Sequence, residues 1–116
     1  MAQCVLFFFA GQGTTSSVIS FTLYLLALHP EIQDKLREEV NECFAKHNNR
    51  PHFDVISKQK YLNGVISESL RMFPPAVRIE RSTTEPYRID GTSIVVPQEC
   101  VVAIPVYAMH HDPQYF

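Results

Sequence analysis

The sequence has no excess of charge of either sign: twelve acidic and ten basic residues leave a net charge of −2. That balance gives no electrostatic case for a nucleic-acid partner or for attraction to an anionic membrane surface. Paired cysteines are missing too. Cys4, Cys43 and Cys100 are odd in number, far apart and without a Cys-x-x-Cys pair, so no disulfide framework is indicated. Reduced, mostly buried thiols in a cytosol-facing compartment are expected instead. The apolar start, MAQCVLFFFA, has no basic stretch before it and no small-residue cleavage site, so no targeting signal is predicted. That run is interrupted by Gly-Gln-Gly-Thr-Thr-Ser-Ser and falls short of the roughly 20 residues a membrane span needs. No membrane span is expected in this segment. There is no internal repeat and no low-complexity tract.

What is present fits one unit of 116 residues with ordinary globular composition, 46% hydrophobic and 19% charged. Seven of the eight prolines lie after residue 50, which predicts a helical first half and a turn-rich second half. The first element, residues 1–28, is apolar on nearly every side, a pattern that belongs inside a larger protein. His29-Pro30 ends it and opens a helix over 30–46, where Ile32, Leu36, Val40 and Phe44 form one apolar stripe. Glu31 and Lys35 are spaced to pair on the solvated side. A polar loop and a short helical turn at 54–58 precede a helix over 60–73, with Leu62, Ile66, Leu70 and Phe73 facing a core. Pro74-Pro75 stops it.

From Val77 to Ile104 the period becomes strand-like, with Arg78 and Glu80 on one side and Val77, Ile79 and Arg81 on the other. Tyr87 to Val96 reads as a hairpin around Asp90-Gly91, a dipeptide suited to a type I′ turn. The predicted class is mainly α with a small β-sheet region, α+β.

Gly11-Gln12-Gly13 after an apolar run admits a strand, phosphate loop and helix. The spacing fails, because Ser16 stands at the third glycine position, no Walker lysine follows, and no βαβ strand ends in an acidic residue. The remaining readings keep one helix. Its glycines, each costing about 0.8–1.0 kcal/mol against alanine, serve either close helix packing or a functional gap. Hydroxyls at Thr14, Thr15, Ser16 and Ser17 compete there for carbonyls one turn back.

The stretch Phe9-Ala10-Gly11-Gln12-Gly13-Thr14-Thr15-Ser16 resembles the central helix of the cytochrome P-450 family, whose pattern is Ala/Gly-Gly-x-Asp/Glu-Thr-Thr/Ser. His29-Pro30-Glu31 with Gln33 to Glu39 is similar to that family's next helix. Glu68-Ser69-Leu70-Arg71 before Phe73-Pro74-Pro75 is similar to its Glu-x-x-Arg helix. Arg81, Asp90-Gly91, Val96-Pro97 and His110-His111-Asp112-Pro113 follow in the family's order. The resemblance covers essentially all 116 residues and looks closest to the animal microsomal drug- and steroid-oxidising branch.

That resemblance implies a partial haem-thiolate monooxygenase domain: an oxygen-activating helix (1–28), a following helix (30–46), the Glu-x-x-Arg helix (60–73) and strands (77–104). The parent would carry haem b and insert one oxygen atom from O2 into a lipophilic substrate. Its electrons would come from an NADPH-cytochrome reductase, so NADPH acts only indirectly. Its place would be the cytosolic face of the endoplasmic reticulum membrane. Thr14 would be the catalytic hydroxyl that handles protons during O–O cleavage, a role that needs a group able to donate and accept. Ala10, Gly11, Gly13 and Thr15 would form the oxygen and proton-relay groove around it. Glu68 and Arg71 would be a buried structural pair, Arg81 a partner of a haem propionate, and Phe7, Ala76 and Val77 parts of the substrate pocket. Gly13 departs from the family pattern, which has a carboxylate there, and this predicts slow or uncoupled turnover.

No iron-ligating cysteine is found. The family's Phe-x-x-Gly-x-x-x-Cys-x-Gly loop matches none of the three cysteines. His110, His111 and Asp112 are adjacent on one element and are expected to form a capped turn, not a metal site. The isolated chain is therefore expected to be inactive as a segment of a monooxygenase. The alternative is a haem-free product acting as a non-catalytic binding or regulatory fragment.

Overall fold

No Asp, Glu, Lys or Arg interrupts the first element, and it forms one 27-residue helix, α1 (Ala2–Leu28). The computed structural model describes all 116 residues and divides them into two units, Met1–Pro75 and Ala76–Phe116. In the first unit α1 is followed by α2 (Pro30–Lys46), the single turn α3 (Phe53–Ile56) and α4 (Lys60–Met72).

His29 joins two helices in one residue. Its N–H donates to the Leu25 carbonyl at 3.1 Å, and its own carbonyl accepts from Ile32 and Gln33 at 3.1 Å each. Pro30 takes the first helical position, where its missing N–H costs nothing. Asn48 and Asn49, at φ 50 and 58, turn the chain out of α2.

α1, α2 and α4 pack on one another, and α1 contributes its only buried residue near its end. Leu26 is buried, and Phe21 stacks on Phe73 with ring centroids 4.4 Å apart. Tyr24 meets the same ring edge-on at 6.5 Å. On α2 the expected stripe is half-buried at Ile32, Leu36 and Val40, while Phe44 is exposed and Cys43 takes the buried place. The apolar stripe drifts by a residue because a helix turns every 3.6 residues, not every four.

In the second unit β1 (Ile79–Ser82) pairs antiparallel with β4 (Val101–Ile104), Ile79 opposite Ile104 and Arg81 opposite Val102. β2 (Tyr87–Arg88) pairs with β3 (Val95–Val96), and α5 (Val106–His110) follows. Arg78 and Glu80 form an ion pair, as strand alternation places them on one side. The Thr83 hydroxyl donates to the Pro97 carbonyl at 2.7 Å and accepts the Cys100 N–H at 3.0 Å. It fastens a turn in which Glu99 takes φ 59.

The α+β class is as expected, with strands confined to the proline-rich half. Four expectations are corrected. The glycine–hydroxyl stretch does not shorten the apolar element: α1 runs through it, and by length and composition it is long and apolar enough to cross a membrane. The hairpin turn is not type I′, because only Gly91 has positive φ (74), and that type needs it at both central residues. Glu31 lies near His29 at 3.5 Å, not on Lys35; the helical pairs are Asp34–Arg37 and Glu42–Lys46. Of the three thiols, only Cys43 is buried, while Cys100 is half-buried and Cys4 exposed.

Candidate functional site

Phe7, Ala10, Gly11 and Thr14 recur at i, i+3, i+4 and i+7, so α1 carries them on one face. All four are exposed, as are Gly13 and Thr15. The Thr14 hydroxyl donates to the Ala10 carbonyl at 2.6 Å. The hydroxyl thus bonds back into the helix, and the side chain remains exposed. Ser16 and Ser17 donate to the Gly13 carbonyl at 3.1 and 2.8 Å. The hydroxyls thus bond backward along the helix without breaking it, which rules out the strand–loop–helix reading of the two glycines.

A Cβ placed on Gly11 or Gly13 would meet nothing within 4 Å. Within this chain the glycines do not serve close helix packing. Gly11 leaves bare backbone one turn before Thr14 on the same face, while Gly13, two residues from Gly11, leaves it on another side of the helix. Gly13 supplies no ionisable side chain next to Thr14 in sequence.

α4 brings Glu68 and Arg71 together as expected from their spacing. Arg71 Nε donates to Glu68 Oε2 at 2.8 Å and a terminal nitrogen donates to Oε1 at 2.6 Å, a two-pronged pair. The Arg71 side chain is 21% exposed and that of Glu68 56%, so in this chain the pair is partly wet and not fully buried. The guanidinium bonded to Glu68 holds its carboxyl below the usual carboxylate range, against a smaller opposing effect of burial. The same bond raises the Arg71 guanidinium.

Beside this pair lies a cleft of about 440 Å³, with Leu25, Leu26 and His29 on one side and Val65, Glu68 and Met72 on the other. It does not include the Thr14 face. A second feature was also unforeseen: both oxygens of Glu39 accept N–H groups at the start of α4, from Tyr61 at 3.0 Å and Leu62 at 2.9 Å. One signal for it was available. Gln59 precedes the helix and provides no side-chain cap, so the orphan donors of α4 needed an acceptor from elsewhere.

In the second unit Arg81 is exposed on β1, where a terminal nitrogen donates to the Glu80 carbonyl at 2.7 Å, and its remaining donors suit a carboxylate. Ala76 and Val77 are exposed just before β1, and the Val77 carbonyl accepts the Tyr107 N–H at 3.1 Å. His111 ends α5 with Nδ1 2.9 Å from the Tyr107 carbonyl, and Asp112 accepts the Gln114 N–H at 2.9 Å. These residues form a turn, and no cluster of three His, Cys, Asp or Glu side chains suited to a metal ion occurs.

The family model described as Cytochrome P450 matches residues 1–116. The chain is 44% identical over 115 residues to "Cytochrome P450 3A5" of Homo sapiens, covering 99% of this chain and 22% of that protein. It is 43% identical over 116 residues to "Cytochrome P450 3A31" of Mesocricetus auratus, covering 100% and 23%. A plant relative, "Cytochrome P450 CYP72A616" of Paris polyphylla, is 41% identical over 114 residues, covering 98% and 21%. The chain thus spans about a fifth of the length of these relatives.

Proposed function

This chain belongs to the cytochrome P450 family, and on that premise we propose that it is the oxygen-handling and Glu-x-x-Arg segment of a haem-thiolate monooxygenase. The observation that carries the reading is Thr14, an exposed hydroxyl on the same helix face as Ala10 and the bare Gly11, in a chain the family model matches throughout. The parent protein takes a lipophilic substrate and O2 and receives electrons from a reductase that oxidises NADPH. It works at the cytosolic face of the endoplasmic reticulum membrane. Bound haem supplies the redox chemistry by which O2 is split and one oxygen enters the substrate.

The chain's own residues prepare the place. Ala10 and Gly11, with no side chain beyond Cβ, leave room for dioxygen. Thr14 holds and passes a proton beside them, giving up its bond to the Ala10 carbonyl when it donates outward. Arg81 would hold a haem propionate by a charge-assisted bond. By family likeness Phe7 in the first unit and Ala76 and Val77 in the second would each serve substrate binding, and Glu68 with Arg71 stiffens α4.

Gly13 leaves the relay without the carboxylate usual in the family, so turnover in the haem-loaded protein would be slow or uncoupled. The test is Thr14→Ala and Gly13→Glu in a longer protein carrying this segment, with product formed per NADPH consumed as the readout. Coupling falls in the first and rises in the second. Equal coupling in all three proteins would remove both assignments.

For the 116-residue chain by itself we propose no haem-thiolate activity, since none of Cys4, Cys43 and Cys100 has the family's ligand-loop neighbours. A thiolate-type spectrum from the reduced, carbon-monoxide-treated chain would overturn this.

A further inference from the structure

We propose that Glu39 is the positioning residue of the Glu68–Arg71 helix: its carboxylate ties α2 to the first turn of α4 and fixes where that helix sits. The tie crosses 22 and 23 residues of sequence, to Tyr61 and Leu62, and uses both carboxylate oxygens at once. It replaces a local cap. α4 has no acidic residue in its first turn, and the Gln59 amide is directed to the Val55 carbonyl at 3.0 Å instead. A helix N-terminus carries partial positive charge, so an anion there is held by charge as well as by hydrogen bonds.

The consequence is geometric. A cap on the helix's own chain satisfies the donors but leaves the helix free to slide; a cap from a neighbouring helix satisfies them only at one separation. Lys60, Tyr61, Val65 and Glu68 all face the cleft beside α1, so the same tie sets that cleft's width. The bearing on oxygen chemistry rests on the monooxygenase reading. The tie does not rest on it, and the test reads the tie alone.

Cys43 is the reporter. It lies one turn beyond Glu39 on the same face of α2 and is 6% exposed. With Cys4→Ser and Cys100→Ser in the full chain, labelling by a disulfide reagent times the opening of that face. Glu39→Ala is expected to speed Cys43 labelling, and amide exchange at Tyr61 and Leu62, at least tenfold. Adding Gln59→Asp supplies a local cap: amide protection returns, and Cys43 labelling stays fast. An unchanged Cys43 rate in Glu39→Ala, or a normal rate in the double variant, would reduce Glu39 to a bystander or a simple cap. If Glu39→Ala does not fold, Glu39→Gln decides the matter. It keeps one acceptor, so one of the two amides loses protection and Cys43 labels at an intermediate rate. No change in that variant overturns the proposal.

Discussion

The two ends of α1 are equally apolar and differ only in what they touch. Val5 to Phe9 stand 54–72% exposed, while Leu26, nearly five turns beyond Phe9, is 8% exposed against α2 and α4. Phe21 and Tyr24 share the Phe73 ring; Phe8 and Phe9 meet only each other, at 6.1 Å. Composition therefore does not decide which end is a core element. Partners do, and this chain supplies them at one end. The end without partners also carries Phe7, Ala10, Gly11 and Thr14, so the residues proposed for chemistry sit where the helix is least constrained by its own chain.

The largest expected effect sharpens that contrast. Leu26→Ala should cost about 2–3 kcal/mol, the low part of the range for emptying a buried leucine site, since the surrounding core is thin. Leu6→Ala, at a position 61% exposed, should stay within about 0.5 kcal/mol. Urea unfolding followed by far-ultraviolet circular dichroism measures both. Similar costs at the two sites would mean that the front of α1 is packed after all.

The helices were legible in the sequence because each has a local rule: His29-Pro30 punctuates α1 and α2, and Pro74-Pro75 closes α4. The Glu68–Arg71 pair follows from the same kind of rule, three residues on one helix. What was not legible depends on distance along the chain. Glu39 reaches α4 across more than twenty residues, and nothing near Tyr61 names its acceptor. Cys43 rather than Phe44 fills the inner place on α2, a choice made by the facing helices and not by the four-residue repeat. A role for the face with Thr14 rests on family likeness alone. By physical rules alone its hydroxyls simply bond back to Ala10 and Gly13.

Two glycines extend the comparison to backbone shape, with opposite signs. Gly91 sits at φ 74, so Gly91→Ala forces a side chain into the left-handed region at about 1–2 kcal/mol. The Ile89 N–H bonded to Ile94 at 3.0 Å should then exchange roughly 5- to 30-fold faster, read by NMR. Gly13 is helical with open space around it, so Gly13→Ala should stabilise α1 by about 0.8–1.0 kcal/mol. Urea midpoints test this. A loss of stability there would reveal a neighbour packed against Gly13.

The smallest effect separates two carboxylates held down in similar ways. Arg71, bonded to Glu68, lowers its pKa in the folded chain, and Lys46 does the same to Glu42. A carboxyl that ionises more readily when folded stabilises the fold above its unfolded pKa, roughly 4.3. That contribution fades as pH falls through the lower folded value. Glu68→Gln should therefore flatten the acid side of the stability profile and leave the chain slightly weaker at neutral pH. Because Glu68 is more than half exposed, solvent screening keeps the loss below about 1 kcal/mol. Glu42 contributes to the same acid limb, so the single variant is ambiguous by itself. A cycle of Glu68→Gln, Arg71→Gln and the double variant isolates the coupling, and added salt should shrink it. A coupling that is unaffected by salt would mean that the pair is sheltered from water and that its exposed geometry is not the one populated in solution.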